Sequence, residues 1–215
     1  MTRPVAVIRP EPGNTATADR ATALGFDVIR LPLFAVRRVA WLAPDPADHD
    51  ALLLTSASAV RHAGPQLERL RELPVLAVGA ATATAARLAG FDVTLQGTQD
   101  ASRLLRQAER QGFARALHLA GRERTVSRGG AVSAIITVYA SDPVTVSPDA
   151  LSNLSGSVVL VHSARAGARL AELIDHAGRA AISIAAISSA AAAATGDGWH
   201  ALAIACSLCG TVSVP

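Results

Sequence analysis

LLLTSASAV, residues 52–60, carries an apolar run into a cluster of small hydroxyl side chains, and VLVHSARAG, residues 159–167, repeats the pattern with Ser163 standing where Ser56 stood. A short apolar run that stops on serine ahead of an alanine-rich stretch is what a buried strand followed by a serine-capped helix looks like. One chain writing this unit twice leaves two possibilities. Either similar folds produce similar turns, or two similar half-sites serve one ligand.

Outward from these two stretches, short β-branched or apolar runs alternate with Ala/Leu/Arg-rich segments at helical spacing. Strands are predicted at 5–9, 27–31, 51–55, 75–79, 92–95, 116–120, 135–139, 157–162, 183–187 and 201–205. Helices are predicted at 13–24, 57–71, 81–89, 100–111, 165–177 and 189–195. Strands apolar on both faces and joined by helices indicate parallel α/β sheets covered on both sides. Unit B, 51–97, runs strand, serine turn, helix, strand ending in VGAAT, helix, Phe91, strand; unit B′, 157–205, repeats this with AISSA and Trp199. Units A (1–33) and A′ (116–140) match similarly, each a β-α-β unit with an arginine just past its first strand. The order A, B, A′, B′ permits two packings: A with B, or A with B′ around an inserted domain made of B and A′. The Pro-, Asp- and Ser-rich crossings at 32–48 and 140–156 begin extended and could run side by side as a hinge.

Composition narrows the function classes. With 215 residues, 50% of them hydrophobic but only 3% aromatic, the chain can fill one large or two small cores, built from Ala, Val, Leu and Ile. All twenty basic residues are arginine; the absence of lysine follows most simply from a GC-rich coding sequence, though arginine also offers a rigid fork of donors for carboxylates and phosphates. The net charge of +3 leans towards acidic ligands. The cations are scattered without interleaved aromatics, so no nucleic-acid partner is expected. No signal-peptide pattern opens the chain, and the most apolar stretch, 180–196, is Ala/Ser-rich and weak for a membrane span. A cytoplasmic protein with no membrane partner is expected. Cys206 and Cys209 form a lone C-x-x-C without the further ligands a zinc site requires.

Ligands of open parallel sheets sit outside the carboxyl ends of the strands. The residues following the predicted strands are Arg9, Thr55, Ser56, Gly79 to Thr82, Arg122, Tyr139, Ser163 with Arg165, and Ser188 with Ser189. This set is rich in hydroxyls and arginines and poor in carboxylates. Helices opening there would direct unsatisfied N–H groups outward, an anion site. Each serine or threonine taken alone reads equally as a helix cap. His118 reads as a strand residue in the core or at an edge, and His162 as a strand-end residue able to face a cleft. Tyr139, the only tyrosine, is a candidate proton donor or a packing side chain beneath the crossing that starts at Ala140. G-x-G-x-x-G after a strand, a phosphate-binding lysine loop and G-x-S-x-G are all absent, and the six histidines show no metal-ligand spacing.

VAVIRPEPGN, ALLLTSASAV, VLAVGAATATAARLAGFDV, LHLAGRE, ITVYAS, VVLVHSARAGARLAELI and AAISSAAAAA fall in an order and spacing that resemble the uroporphyrinogen-III synthase family over nearly the whole chain. The resemblance implies an α/β protein of two flavodoxin-like domains with parallel sheets, joined by a two-stranded hinge, one domain inserted in the other. The discontinuous domain would hold 1–34 plus 155–215, and the inserted one 40–148. It implies cyclisation of the linear tetrapyrrole hydroxymethylbilane to uroporphyrinogen III, with ring D inverted and water lost, by a monomer using no cofactor and no metal. The substrate's eight carboxylates suit arginines and N–H-lined turns. By the same resemblance Tyr139 matches a tyrosine that assists departure of the ring A hydroxyl, Thr82 a threonine of the VGxxT turn, and Ser163 a serine after VVLVH. Arg9, Thr55, Ser56, Gly79, Arg122, Arg165, Ser188 and Ser189 complete the expected substrate-binding set, with Ser56 and Ser163 expected to face each other across a cleft. Ser188 and Ser189 stand slightly earlier than the family's hydroxyl, the unit A′ helix is short, and the tail CSLCGTVSVP departs from the pattern. Two rivals stay open: a non-catalytic two-lobe module binding a small anion, and a flavodoxin-like flavin carrier, which would want more aromatics.

Overall fold

The computed structural model describes residues 3–98, 100–205 and 212–213; Cys206 and Cys209 lie outside them. In chain order the elements are β1 (Val5–Val7), α1 (Gly13–Ala23), β2 (Val28–Arg30), β3 (Phe34–Arg38), β4 (Ala51–Leu54), α2 (Ala57–Ala63), β5 (Val75–Val78), α3 (Ala80–Leu88), β6 (Val93–Gly97) and α4 (Ala101–Arg110). They continue with β7 (Ala116–Gly121), β8 (Val132–Pro143), α5 (Pro148–Ser152), β9 (Val158–Val161), α6 (Ala164–Leu173), α7 (His176–Arg179), β10 (Ser183–Ala186), α8 (Ser189–Ala193), β11 (Ala201–Ala205) and β12 (Val212–Ser213). The fold is α/β with two compact units, Met1–Ala35 with Asp142–Pro215, and Val36–Ser141. The chain passes between them within β3 and close to the end of β8. Among the described residues no helix is long and apolar enough to cross a membrane.

The discontinuous unit carries a sheet in the order β12-β11-β10-β9-β1-β2. Its pairs are parallel apart from β11 with β12. Strand alternation sends Ala6, Ile8, Val159, Val161, Ile184 and Ala186 into one core with Ala166 and Leu170 of α6 and Ala191 and Ala192 of α8. Small residues make this packing close. A Cβ on Gly167 would sit 2.8 Å from the Ala191 carbonyl oxygen, so glycine is what lets α6 approach α8. At the end of β1 the fully buried Asn14 donates to the carbonyls of Val7 (2.7 Å) and Arg9 (3.1 Å) and accepts from Arg30 Nε (2.9 Å). One amide thereby ties β1, α1 and β2 together.

The contiguous unit carries the order β3-β8-β7-β4-β5-β6. Its central strands are apolar on both faces, as a doubly covered parallel sheet requires. Leu52, Leu54, Leu117 and Leu119 pack with Ala59 and Ala63 of α2 and Ala83 and Ala86 of α3. Leu53, Leu76 and Leu95 pack with Leu104 and Ala108 of α4 on the other face.

Four local expectations are corrected. The helix expected over 57–71 ends at Ala63 and continues as a 3-10 turn over Gly64–Leu70, because Gly64 takes φ +71° and Pro65 cannot donate to the ladder. The helix expected over 165–177 stops at an extended Ile174, after which Asp175 accepts from Gly178 N (2.8 Å) and caps α7. The strand expected over 135–139 spans Val132–Pro143 as β8, so Tyr139 lies within the strand and not at its carboxyl end. Unit A′ is not β-α-β: β7 and β8 pair in parallel through a segment, 122–131, with no helix. RERTVSRGGA offers no apolar face to bury, and Gly129 (φ 133°) and Gly130 (φ 53°) turn the chain back into β8.

The internal repeat extends to a detail that motif comparison did not anticipate. Arg71 lies over the Phe91 ring at 5.5 Å and donates to Ala89 O (2.8 Å). Arg179 lies over the Trp199 ring at 5.2 Å and donates to the carbonyls of Ala171 and Ile174. In each unit an arginine and an aromatic clamp the approach to the last repeated strand.

Candidate active site

In the contiguous unit the absent crossover helix leaves room above the carboxyl ends of the strands. A cavity of about 560 Å³ opens there, lined by Thr55 and Ser56 after β4, Val78, Gly121 at the end of β7, Tyr139 of β8, the first turn of α4 and residues 123–127. Its walls carry both signs of charge, with Arg124, Glu123 and Asp100 among the lining side chains.

Tyr139 is half-buried, with the His62 ring centroid 6.2 Å away on one side. Its ring lies against Gly121, where a Cβ would come within 2.7 Å of Cζ and 2.9 Å of the phenolic oxygen. Gly121 therefore leaves the space the phenol occupies. Thr55 lines the same cavity, and its Oγ1 is 3.0 Å from Nε2 of His118. His118 is fully buried in β7, and burial, with Arg124 adding to it, pulls its pKa down to about 4, so the ring is neutral at physiological pH. Arg124 is held by donation from Nη1 to Gly121 O (3.3 Å), Arg122 O (3.2 Å) and Thr137 Oγ1 (3.3 Å).

Ser56 sits in extended backbone and caps α2, accepting from Ser58 N (3.2 Å). Gly79 takes φ +85° ahead of α3, a conformation open to glycine. Thr82, in the first turn of α3, is buried. Gly79, Thr82 and Arg122 are not among the residues lining this cavity. Arg122 is exposed and its backbone N–H donates to Tyr139 O (3.0 Å).

In the discontinuous unit Ser163 caps α6, accepting from Ala166 N (3.2 Å), and Ser188 caps α8, accepting from Ala191 N (3.2 Å); Ser189 follows in the exposed first turn. The Arg165 guanidinium lies over the Phe34 ring at 4.3 Å. Arg9 donates to Thr17 Oγ1 (3.4 Å) and crosses the start of α1 at Gly13, where a Cβ would be 2.6 Å from its Cζ. Arg9 and His162 line a larger cavity of about 720 Å³ on the α1 side of the sheet, whose floor is Val158 and Leu160. Burial, followed by the Arg9 charge, lowers the His162 pKa. This larger cavity is mainly apolar, whereas the smaller one in the other unit gathers the titratable and hydroxyl groups that proton transfer and anion binding require.

The structure thus brings Thr55, Ser56 and Tyr139 together in one cavity and Arg9 into another, and sets Ser163 and Ser188 as caps. Sequence reasoning missed residues 123–127, because a helix was expected where the lining loop runs. It missed Asp100 and Ser102 because they open α4 and follow β6, whose end had not been counted among the site positions. It also missed the partnership of His118 with Thr55, which only the pairing of β4 with β7 reveals. Among the described residues no group of three or more His, Cys, Asp or Glu side chains is placed to hold a metal ion.

Comparisons with known proteins point in the same direction. The family model described as uroporphyrinogen-III synthase HemD matches residues 15–206. No curated protein matches the chain by sequence. The crystal structure of uroporphyrinogen-III synthetase from Helicobacter pylori 26695 superposes with a TM-score of 0.62 at 16% identity, covering 89% of this chain and 87% of that one. A mutant uroporphyrinogen III synthase from the extremely thermophilic bacterium Thermus thermophilus superposes with a TM-score of 0.54 at 20% identity, covering 90% of this chain and 88% of that one. At these identities the two structures speak to the fold.

Proposed function

The chain belongs to the uroporphyrinogen-III synthase family, and from that premise we propose how its residues carry out uroporphyrinogen III synthesis. The substrate is hydroxymethylbilane. Tyr139 gives its phenolic proton to the ring A hydroxyl, which leaves as water and turns ring A into an azafulvene cation. The ring D carbon that already bears a bridge attacks the cation, and the spiro intermediate fragments and recloses with ring D inverted. The proton lost from the newly bonded ring D carbon returns to the Tyr139 phenolate. The observation that carries this role for Tyr139 is its place in a cavity shared with the Thr55 hydroxyl, the Ser56 turn and Arg124. Donors of that kind can hold substrate carboxylates while the phenol stands beside the reacting end.

Arg9, Gly79, Thr82, Arg122, Ser163, Arg165, Ser188 and Ser189 are offered as further carboxylate partners. For the serines the partner would be the backbone N–H groups of the turn, since the hydroxyls of Ser163 and Ser188 already cap their helices. A monomer working in the cytoplasm is part of the same proposal.

The test supplies freshly made hydroxymethylbilane and separates the type I and type III products. Type III isomer above the spontaneous background is expected; type I alone refutes the assignment. Tyr139→Phe is expected to lower kcat by about 10²-fold, the usual scale of a lost general acid, and unchanged turnover would remove Tyr139 from the proton-donor role.

A further inference from the structure

We infer that His118 is a positioning residue, fixing the Thr55 hydroxyl as a hydrogen-bond donor directed into the cavity of the contiguous unit. The inference deepens the proposed function and rests on it for what the hydroxyl meets, a carboxylate of the substrate. Three observations lead there. His118 is wholly inaccessible to solvent. Its Nε2 lies 3.0 Å from Thr55 Oγ1. Its Nδ1 is buried and has no hydrogen-bond partner.

A neutral imidazole carries one proton, on one nitrogen or the other. Orphaned buried N–H groups are rarer than under-satisfied acceptors, so the proton belongs on Nε2 and the bare lone pair on Nδ1. Nε2–H then donates to Thr55 Oγ1. The hydroxyl has a single hydrogen, and with its oxygen accepting from the ring that hydrogen turns to the side left open, which is the cavity Thr55 lines. A threonine in water rotates freely between donating and accepting; this one is set to donate. The neutral state of the ring matters, because an imidazolium would place a second N–H at Nδ1 with nothing to receive it. Arg124, anchored to Gly121 O and Thr137 Oγ1, supplies the charge that, together with burial, keeps the ring neutral.

The placement explains why the strand register matters at this point. Leu53 pairs with His118, so Thr55 follows two residues later on the same face of its strand, and the ring reaches it without leaving the sheet. It also separates His118 from a catalytic residue, because the ring is sealed from the cavity and touches substrate only through Thr55.

The test begins with the wild-type protein, whose His118 ring 15N shifts at pH 7 report which nitrogen holds the proton; Nε2–H is expected. His118→Leu and Thr55→Val are each expected to raise the KM for hydroxymethylbilane about tenfold with little change in kcat, the mark of a lost binding contact. The double variant should be no worse than Thr55→Val, because both changes remove the same hydrogen bond. His118→Gln, which brings an amide N–H to the reach of Nε2, should recover part of the loss and serves if His118→Leu fails to fold. A proton on Nδ1, unchanged KM in the folded single variants, or a double variant whose loss is the product of the two single losses overturns the inference. If the wild type forms no type III isomer, the proposed function falls, and the ring spectrum alone decides whether His118 donates to Thr55.

Discussion

Replacing Gly121 by alanine probes the site through one added methyl group. The backbone accepts the change, since Gly121 is not among the glycines with positive φ. The difficulty is the phenol: the new Cβ would stand 2.7 Å from Tyr139 Cζ and 2.9 Å from both Cε2 and the phenolic oxygen. Carbon atoms in comfortable contact stand roughly 3.5–4.0 Å apart, so the ring must retreat by about 1 Å. Overpacking of this size typically costs about 1–3 kcal/mol of stability, which urea unfolding of Gly121→Ala will read. A displacement of about 1 Å at a reacting group can cost on the order of 10²-fold in rate. The assay is initial-rate formation of the type III isomer by protein shown by circular dichroism to be folded. The Gly121→Ala change should also add little in a Tyr139→Phe background, because the displaced phenol is already gone. Full wild-type turnover by folded Gly121→Ala protein would refute the link between the position of Tyr139 and the chemistry.

Stability should fall on acidification between about pH 6.5 and pH 4. Over that window the unfolded chain protonates His118 while the folded protein, with its His118 pKa at about 4, does not, a difference worth about 3 kcal/mol. His162, also lowered by burial, acts with the same sign; urea titrations of His118→Gln across this range should show a shallower slope, and an unchanged slope would contradict the burial. Gly167→Ala should destabilise by about 1–3 kcal/mol, since its methyl would meet the Ala191 carbonyl at 2.8 Å, a backbone atom that cannot swing aside. Asn14→Leu should cost about 1–3 kcal/mol by thermal or urea unfolding, because it leaves the buried Val7 carbonyl short of its side-chain donor and removes the Arg30 Nε acceptor.

Most of the strands and the serine turns were legible in the sequence, because each depends on a local pattern: apolar runs, cap residues and their spacing. The expected strand end at Tyr139 was not, since β8 runs on to Pro143. The family resemblance resolved which units pack together, a choice that periodicity left open between two orders. The 122–131 segment was misjudged because comparison with unit A suggested a helix, although RERTVSRGGA has no apolar stripe to hold one. The break at Gly64-Pro65 was written in the residues and outweighed by the helical spacing on either side. His118 looked like a core residue and is one, yet its bond to Thr55 depends on β4 lying beside β7, a non-local fact. The stacking of Arg71 on Phe91 and Arg179 on Trp199 is hidden for the same reason, since twenty positions separate the members of each pair.

The placement of β1 has a consequence for the order in which the protein is made. Val5 pairs on one side with Val28 and on the other with Val158, so a central strand of the discontinuous sheet leaves the ribosome long before its second neighbour. At about 5–20 residues per second, the intervening stretch takes on the order of ten seconds to synthesise. Within that interval Val36–Ser141, a compact unit in itself, can close into a folded body. The nascent β1–α1–β2 unit meanwhile keeps an unfilled edge beside β1 until β9 arrives.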